Sequence, residues 1–265
     1  MFNNLYQQFP KYYDMIFRIY LFILFSSCLF ADESAFKYAV FNHDGASLNY
    51  RIFQSPKFQI DKKHALVLTL HGSSLRGSDN RAQLKENRGP MELYRYITNN
   101  KINAIVVSPQ CPSGERWVET PWYGESHTMP SLPNQTMKLT MALIKSLIAS
   151  RPVNSNKVYV TGLSLGGFGC WDIIQREPNL FAAAIPICGG GDTAQAVHLK
   201  NLPIWIFHGD NDGVVLTKRS RDMYAALKKV GAKVKYTEYP NTGHDSFTPT
   251  YNDDSVLKWL FDQEI

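Results

Sequence analysis

Several features that mark whole function classes are missing from this chain of 265 residues. Its 28 basic and 23 acidic residues are interspersed, for a formal charge of +5. No basic block with interleaved aromatics exists, so nucleic-acid binding is not expected. Among 4 cysteines and 7 histidines there is no C-x-x-C pair and no His-rich spacing, so no metal is expected. There is no internal repeat and no low-complexity linker. No apolar run reaches the roughly 20 residues that a membrane-spanning helix needs.

The longest apolar run, Ile19 to Phe30, follows Arg18 and stops at the polar Asp32-Glu33-Ser34. That is the layout of a secretory signal peptide. Residues 1–31 are therefore read as a leader, cleaved after Ala31 although Leu29 is a poor residue three back from the cut, with Met15 as an alternative start. Phe25-Ser26-Ser27-Cys28 resembles a bacterial lipobox with Phe25 where leucine is usual, so a lipid anchor on Cys28 stands as the alternative. Membrane contact is expected only through leader or anchor, and the location is periplasmic or extracellular. Cleavage leaves Cys111, Cys170 and Cys188, an odd number. Buried thiols are the simpler reading, and a Cys170–Cys188 disulfide stays open because sequence carries no geometry.

What is present is 44% hydrophobic, enough for one sizeable core over residues 36–265. Two alternating segments separated by His43-Asp44-Gly45-Ala46 read as a hairpin. Short apolar or β-rich runs at 65–70, 103–108, 157–161, 181–187, 203–208 and 233–239 read as strands, most of them buried on both faces. Helical patterns lie at 90–99, 134–150, 166–176, 217–230 and 252–263. This alternation predicts an α/β fold of about eight strands, mostly parallel behind an antiparallel hairpin, with helices on both faces. Residues 108–133 carry no regular pattern, and so long a loop in a compact domain usually serves function.

Gly162-Leu163-Ser164-Leu165-Gly166 is a G-x-S-x-G pattern placed directly between a predicted strand and a predicted helix. In that context a serine can sit on a strained turn with its hydroxyl exposed and a helix N-terminus beneath it. A serine hydroxyl needs a base, and the base needs an orienting acid. His244 follows the last strand in a glycine-flanked turn and is the candidate base. His208 reads as a strand-end histidine bonded to backbone, and His198 as part of a surface segment. Asp210 and Asp212 both follow the 203–208 strand, and Asp245 is too near His244 along the chain to orient its ring. Leu165 N–H and Ser73 N–H, the latter after His71-Gly72, are the candidate oxyanion donors. Arg76 and Asp79 read as braces for that loop. Trp117, Trp122 and Tyr123 on the 108–133 loop, and Gly189 in Cys188-Gly189-Gly190-Gly191, are candidate substrate contacts, although a hydrophobic cluster anchoring the loop explains the aromatics equally well.

Leu70-His71-Gly72-Ser73-Ser74-Leu75-Arg76-Gly77, Gly162-Leu163-Ser164-Leu165-Gly166-Gly167, His208-Gly209-Asp210-Asn211-Asp212 and Gly243-His244-Asp245 in this order resemble the α/β-hydrolase superfamily. More narrowly, it resembles the exported esterases grouped with phospholipase/carboxylesterases, dienelactone hydrolase and polyhydroxybutyrate depolymerase-like members. One departure is Ser74-Leu75-Arg76-Gly77, where relatives often carry Gly-Glu-Arg-Gly. The resemblance implies a cofactor-free Ser164–Asp212–His244 triad, choosing Asp212 over Asp210, and hydrolysis of carboxylic esters through an acyl-enzyme. It implies a small or polymer-linked ester as substrate: short acyl esters, acetyl or feruloyl groups on polysaccharide, or soluble polyester oligomers. A serine peptidase of the same fold, or a non-catalytic binding relative, are the alternatives.

Overall fold

The computed structural model describes residues 33–85 and 88–265. The leader and Cys28 lie outside the described residues. Eight strands form one sheet in the order β1-β2-β4-β3-β5-β6-β7-β8. They are β1 Lys37–His43, β2 Ala46–Gln54, β3 His64–Leu70, β4 Ala104–Pro109, β5 Val153–Leu163, β6 Ala183–Ile187, β7 Ile204–Gly209 and β8 Val234–Tyr239. Among the described residues, the β1–β2 and β2–β4 pairs are antiparallel and the other strand pairs are parallel. The opening hairpin has His43 opposite Ala46, leaving Asp44 and Gly45 as a two-residue turn. Both have positive φ, 50° and 74°, the backbone that Asp-Gly supplies to match strand twist.

Besides a four-residue helix at Ala82–Lys85, the α-helices among the described residues are α1 Arg88–Asn99, α2 Gln135–Ser150, α3 Leu165–Arg176, α4 Lys218–Lys229, α5 Phe247–Asn252 and α6 Asp254–Phe261. The central strands read as continuous apolar runs because each face is covered. Leu66, Leu68 and Leu70 of β3 and Val158 and Val160 of β5 enter the core under α2, α3 and α4. The alternate residues Ala65, Val67 and Tyr159 enter a second core with Leu93 and Ile97 of α1 and Val256, Leu257 and Leu260 of α6. Each fully buried leucine contributes about 1.5–3 kcal/mol of burial free energy. α2 starts where Asn134 accepts the Met137 N–H at 2.9 Å, satisfying a free first-turn donor.

Three departures from the sequence pattern have a visible cause. β5 starts at Val153 rather than 157, because His64 N–H and Val153 extend the pairing backwards. β6 starts at Ala183, with Phe181 and Ala182 packed as core ahead of it. The expected 252–263 helix breaks at Asp253, which adopts ψ 104° and caps α6 by accepting the Ser255 N–H at 2.8 Å. α5 precedes the break and carries Tyr251, fully buried with its hydroxyl 2.9 Å from Thr161 Oγ1.

The sheet positions the site. β4 and β5 flank β3 on opposite sides, so the connections leaving their carboxyl ends diverge and open a crevice there. The segments after β3, β5, β6, β7 and β8 carry His71, Ser164, Cys188, Asp212 and His244.

Candidate active site

Ser164 sits between β5 and α3 with φ 53° and ψ −119°, a backbone that costs a non-glycine residue strain. Its neighbours make the turn sterically possible. A Cβ on Gly162 would lie 2.2 Å from Gly166 O, and one on Gly166 would lie 1.9 Å from Leu70 O. Gly167 lets α3 close on the end of β6, where a Cβ would lie 2.4 Å from Ile187 O. Ser164 N–H donates to Ile187 O at 3.0 Å, and Phe168 N–H donates to Ser164 O at 3.0 Å. The hydroxyl is thereby aimed off the turn rather than into it.

His244 is brought in by the close approach of its loop to β7. A Cβ on Gly209 would lie 2.2 Å from both Thr242 O and Gly243 O. Asn211 N–H donates to Thr242 O at 3.0 Å, and Asp210 Oδ1 accepts the Thr242 N–H at 3.2 Å. Asp210 thus fastens the histidine loop, a partner 32 positions away rather than the local amide expected of a turn aspartate. Asp245 turns away and accepts the Thr248 N–H.

The three candidates form one hydrogen-bonded chain. Ser164 Oγ lies 2.9 Å from His244 Nε2, and His244 Nδ1 lies 2.8 Å from Asp212 Oδ2. Asp212 Oδ1 accepts the N–H groups of Val214 at 2.8 Å and Val215 at 3.0 Å. The carboxylate side chain is inaccessible, whereas the His244 side chain is 25% exposed at the crevice. Burial alone would push the Asp212 carboxyl up. Hydrogen bonds from His208, His244 and the two valine amides outweigh that and hold it well below the usual carboxylate range. An ionised Oδ2 fixes the tautomer of His244: Nδ1 carries the proton and Nε2 is free to accept from the serine. Cys188 Sγ lies within 4.8 Å of ligand atoms of Asp212 and His244, but the carboxylate and ring nitrogens are engaged in the chain just described. The Cys188 thiol is pushed up to about 12 by burial, and Cys111, Cys170 and Cys188 are all free and buried, which leaves the possible Cys170–Cys188 bridge unformed.

Gly72 runs beside the serine; a Cβ there would lie 3.7 Å from Ser164 Cβ. Neither Ser73 N–H nor Leu165 N–H donates to another group among the described residues. Leu165 follows Ser164 directly and Ser73 follows Gly72, so both N–H groups belong to the segments that meet at the serine. The Ser73 peptide is held from behind by His71. His71 Nε2 accepts the Cys111 N–H at 3.0 Å, so its Nδ1 carries the proton and donates to Gly72 O at 2.7 Å. In a trans peptide the C=O and the following N–H point in opposite directions, so a Gly72 carbonyl held toward His71 turns the Ser73 N–H the other way. Arg76 braces the same loop through Ser73 O at 3.0 Å and Glu115 O at 3.1 Å. Asp79 accepts from Gln110 Nε2 at 2.8 Å and from two backbone amides.

Burial of the imidazole lowers His71 from 6.5 to about 4, against the Gly72 bond that raises it and helped by nearby Arg76. The unfolded chain therefore binds more protons than the folded one between these values. Folding stability that is complete above pH 6.5 should fall as pH drops toward 4, by roughly 3 kcal/mol from this group. Thermal denaturation of wild type and His71→Gln across that range checks it; the variant should lose part of the slope.

The aromatic candidates separate. Trp117 is fully buried. Its Nε1 donates to His71 O at 2.9 Å and its Cβ abuts Gly169 of α3. It anchors the loop in the core and is not a substrate contact. Trp122 packs half-buried against Val118, Phe168 and Val215, one helical turn from Ser164. Tyr123 is 73% exposed beside it. Gly189 is buried, and a Cβ there would lie 2.5 Å from Gly167 C; its missing side chain serves the packing of this segment on α3, not the approach of substrate. Sequence reasoning gave no role to His71, whose place in a His-Gly dipeptide after a buried strand was the available signal. It also assigned His208 to backbone alone; His208 donates to Val215 O, and additionally to Asp212.

The sequence profile of the dienelactone hydrolase family matches residues 124–258, which include Ser164, Asp212 and His244. This chain belongs to the dienelactone hydrolase family. Its relatives include a "Probable carboxylesterase" of Oryza sativa subsp. japonica, 26% identical over 196 residues, covering 67% of this chain and 80% of that protein. Among solved structures a thermostable esterase superposes with a TM-score of 0.80 at 35% identity, covering 88% of this chain and 64% of that one; the chain therefore spans under two thirds of that esterase. An S-formylglutathione hydrolase from Agrobacterium tumefaciens shares the fold at a TM-score of 0.61 and 16% identity. The family match, the carboxylesterase relative and the thermostable esterase support carboxylic ester hydrolysis as the chemistry of this chain.

Proposed function

We propose that this dienelactone hydrolase family member is a serine esterase in which Ser164 is the nucleophile, His244 the general base and Asp212 the orienting acid. The single observation that carries the reading is the unbroken chain from Ser164 Oγ through His244 to Asp212, at 2.9 and 2.8 Å. Ser164 Oγ attacks the ester carbonyl carbon while its proton passes to His244 Nε2. The imidazolium so formed is stabilised by the ionised Asp212. The carbonyl oxygen, now negative, is taken up by the free N–H groups of Ser73 and Leu165, each such donor being worth about 3–4 kcal/mol in the transition state. His244 returns the proton to the leaving alcohol, leaving an acyl-enzyme on Ser164. Water then attacks the acyl carbon, giving its proton to His244, and the acid departs with Ser164 restored.

The substrate in this reading is a small or polymer-linked carboxylic ester met outside the cytoplasm, with Trp122 and Tyr123 forming the aromatic wall of its approach. A fluorophosphonate probe tests the nucleophile directly. Intact protein should gain one adduct, on the tryptic peptide that contains Ser164, and His244→Ala should slow the labelling by more than a hundredfold, a rough figure set by general-base catalysis. An adduct on a different residue, or no adduct on folded protein, would remove the reading.

A further inference from the structure

His208 is the next-to-last residue of β7, and its side chain is wholly inaccessible. Its Nε2 lies 3.1 Å from Asp212 Oδ2 and 3.0 Å from Val215 O. A carbonyl oxygen can only accept, so Nε2 carries a proton. That single N–H is shared between the backbone of the acid's turn and the same carboxylate oxygen that receives His244. On the far side His208 Nδ1 lies 2.7 Å from Ser220 Oγ, which stands 3.4 Å from Gly189 O. Thus two imidazoles converge on one oxygen of Asp212, and only one of them faces the crevice.

We propose that His208 is a positioning residue for the acid of the triad: its Nε2–H fixes the rotation of the Asp212 carboxylate and withdraws charge from the oxygen that His244 uses. This deepens the serine-esterase reading and rests on it. With the two valine amides on Oδ1, the carboxylate has a donor on every side and one orientation. Without His208, Oδ2 would keep only His244 and the carboxylate could turn. The same loss would leave more negative charge on Oδ2, strengthening its hold on the His244 imidazolium. That is the protonated form that cannot accept from Ser164, so the acid limb of kcat/KM should move to higher pH.

Other charged and titratable groups around this pair are accounted for. From the segment after β6 comes Cys188, a buried thiol. Glu238 of β8 stands opposite His208 in register but is held by Arg221 and Tyr236. Arg219, beside Ser220 on α4, is turned to Gly124 O and His127. Asp210 and Asp245 are engaged by the Thr242 and Thr248 amides. Among the described residues, no side chain other than His208 and His244 makes a hydrogen bond to Asp212.

The test is the pH profile of p-nitrophenyl butyrate hydrolysis by wild type, His208→Leu, His208→Gln and Ser220→Ala, with circular dichroism melts to confirm folding. His208→Leu should lose roughly ten- to a hundredfold in kcat/KM, the scale of one hydrogen bond to a charged group, and its acid limb should rise. His208→Gln, whose amide N–H can replace Nε2–H, should recover most of the rate and the wild-type limb. Ser220→Ala, which frees the far side of the ring without touching Asp212, should move both in the same direction by less. A folded His208→Leu with reduced rate but an unmoved limb, or a Gln variant no better than Leu, would make His208 a structural residue and overturn the proposal. Should His208→Leu fail to fold, Ser220→Ala with wild-type rate and profile would overturn it alone. Failure of the parent reading is separate, since it would appear as an active Ser164→Ala.

Discussion

Replacing Ser164 by alanine is expected to lower kcat for p-nitrophenyl butyrate by about a millionfold, the scale seen when a triad nucleophile is removed. The fold should survive. The hydroxyl makes one hydrogen bond, to His244 Nε2, at the rim of the crevice, and its loss costs about 1 kcal/mol or less. Alanine meets the same φ of 53° that serine already tolerates, and it brings no new atom into the contacts of Gly162, Gly166 and Gly167. Activity lost and melting temperature retained would separate chemistry from stability in one variant. Residual turnover should still exceed that of water, because the Ser73 and Leu165 amides remain free to polarise a bound ester. An alanine variant with wild-type turnover would mean that the hydrogen-bonded chain is not the reaction path.

The second large effect is expected at the acid. Asp212→Asn should reduce kcat about ten-thousandfold. The reason lies in the donor count. Both oxygens of Asp212 receive only donors: two amides on one side and two imidazole nitrogens on the other. An asparagine must present its NH2 to one of these pairs. Facing the amides, it sets donor against donor in a buried site. Facing the imidazoles, it forces His244 into the tautomer with its proton on Nε2, which cannot accept from Ser164. Either way the relay breaks, and the melting temperature should fall as well, because an unpaired buried donor costs roughly 1–3 kcal/mol. Steady-state kinetics and a thermal melt on the same preparation check both. A loss of less than tenfold would show that Asp212 does not orient the base.

Much of this was legible in the residues, for reasons that differ between elements. The strands were visible because both faces of the sheet are covered, so Ala65 to Leu70 and Val158 to Val160 carry no charged residue, and the one hydroxyl of the first run, Thr69, is buried against Ser108. The Ser164 turn was visible because its geometry forbids side chains at Gly162 and Gly166, and that prohibition is written in the sequence as glycine. The hairpin was visible because Asp-Gly is the dipeptide its turn demands. Tertiary effects were not visible. Nothing local distinguishes Trp117, locked under His71, from Trp122, which meets Phe168; their different burial is decided by chain segments far apart. His208 reads as a strand-end residue until folding brings Asp212 back one turn later against its ring. The break at Asp253 is a capping choice, its side chain accepting the Ser255 N–H, which the apolar spacing over 252–263 does not record.

The 108–133 segment shows no repeating secondary structure, yet it is stitched down along its length. Trp117 is tied to His71, Asn134 to Arg116, Gly124 to Arg219, Met129 to Asp192 and Pro130 to Arg176. A strap fastened this way has already surrendered its conformational freedom during folding. In the proposed esterase, an arriving ester would spend none of its binding energy on ordering it, so that energy would remain available for gripping the reacting carbonyl. The irregular loop thus acts as preorganised scaffolding rather than as a door.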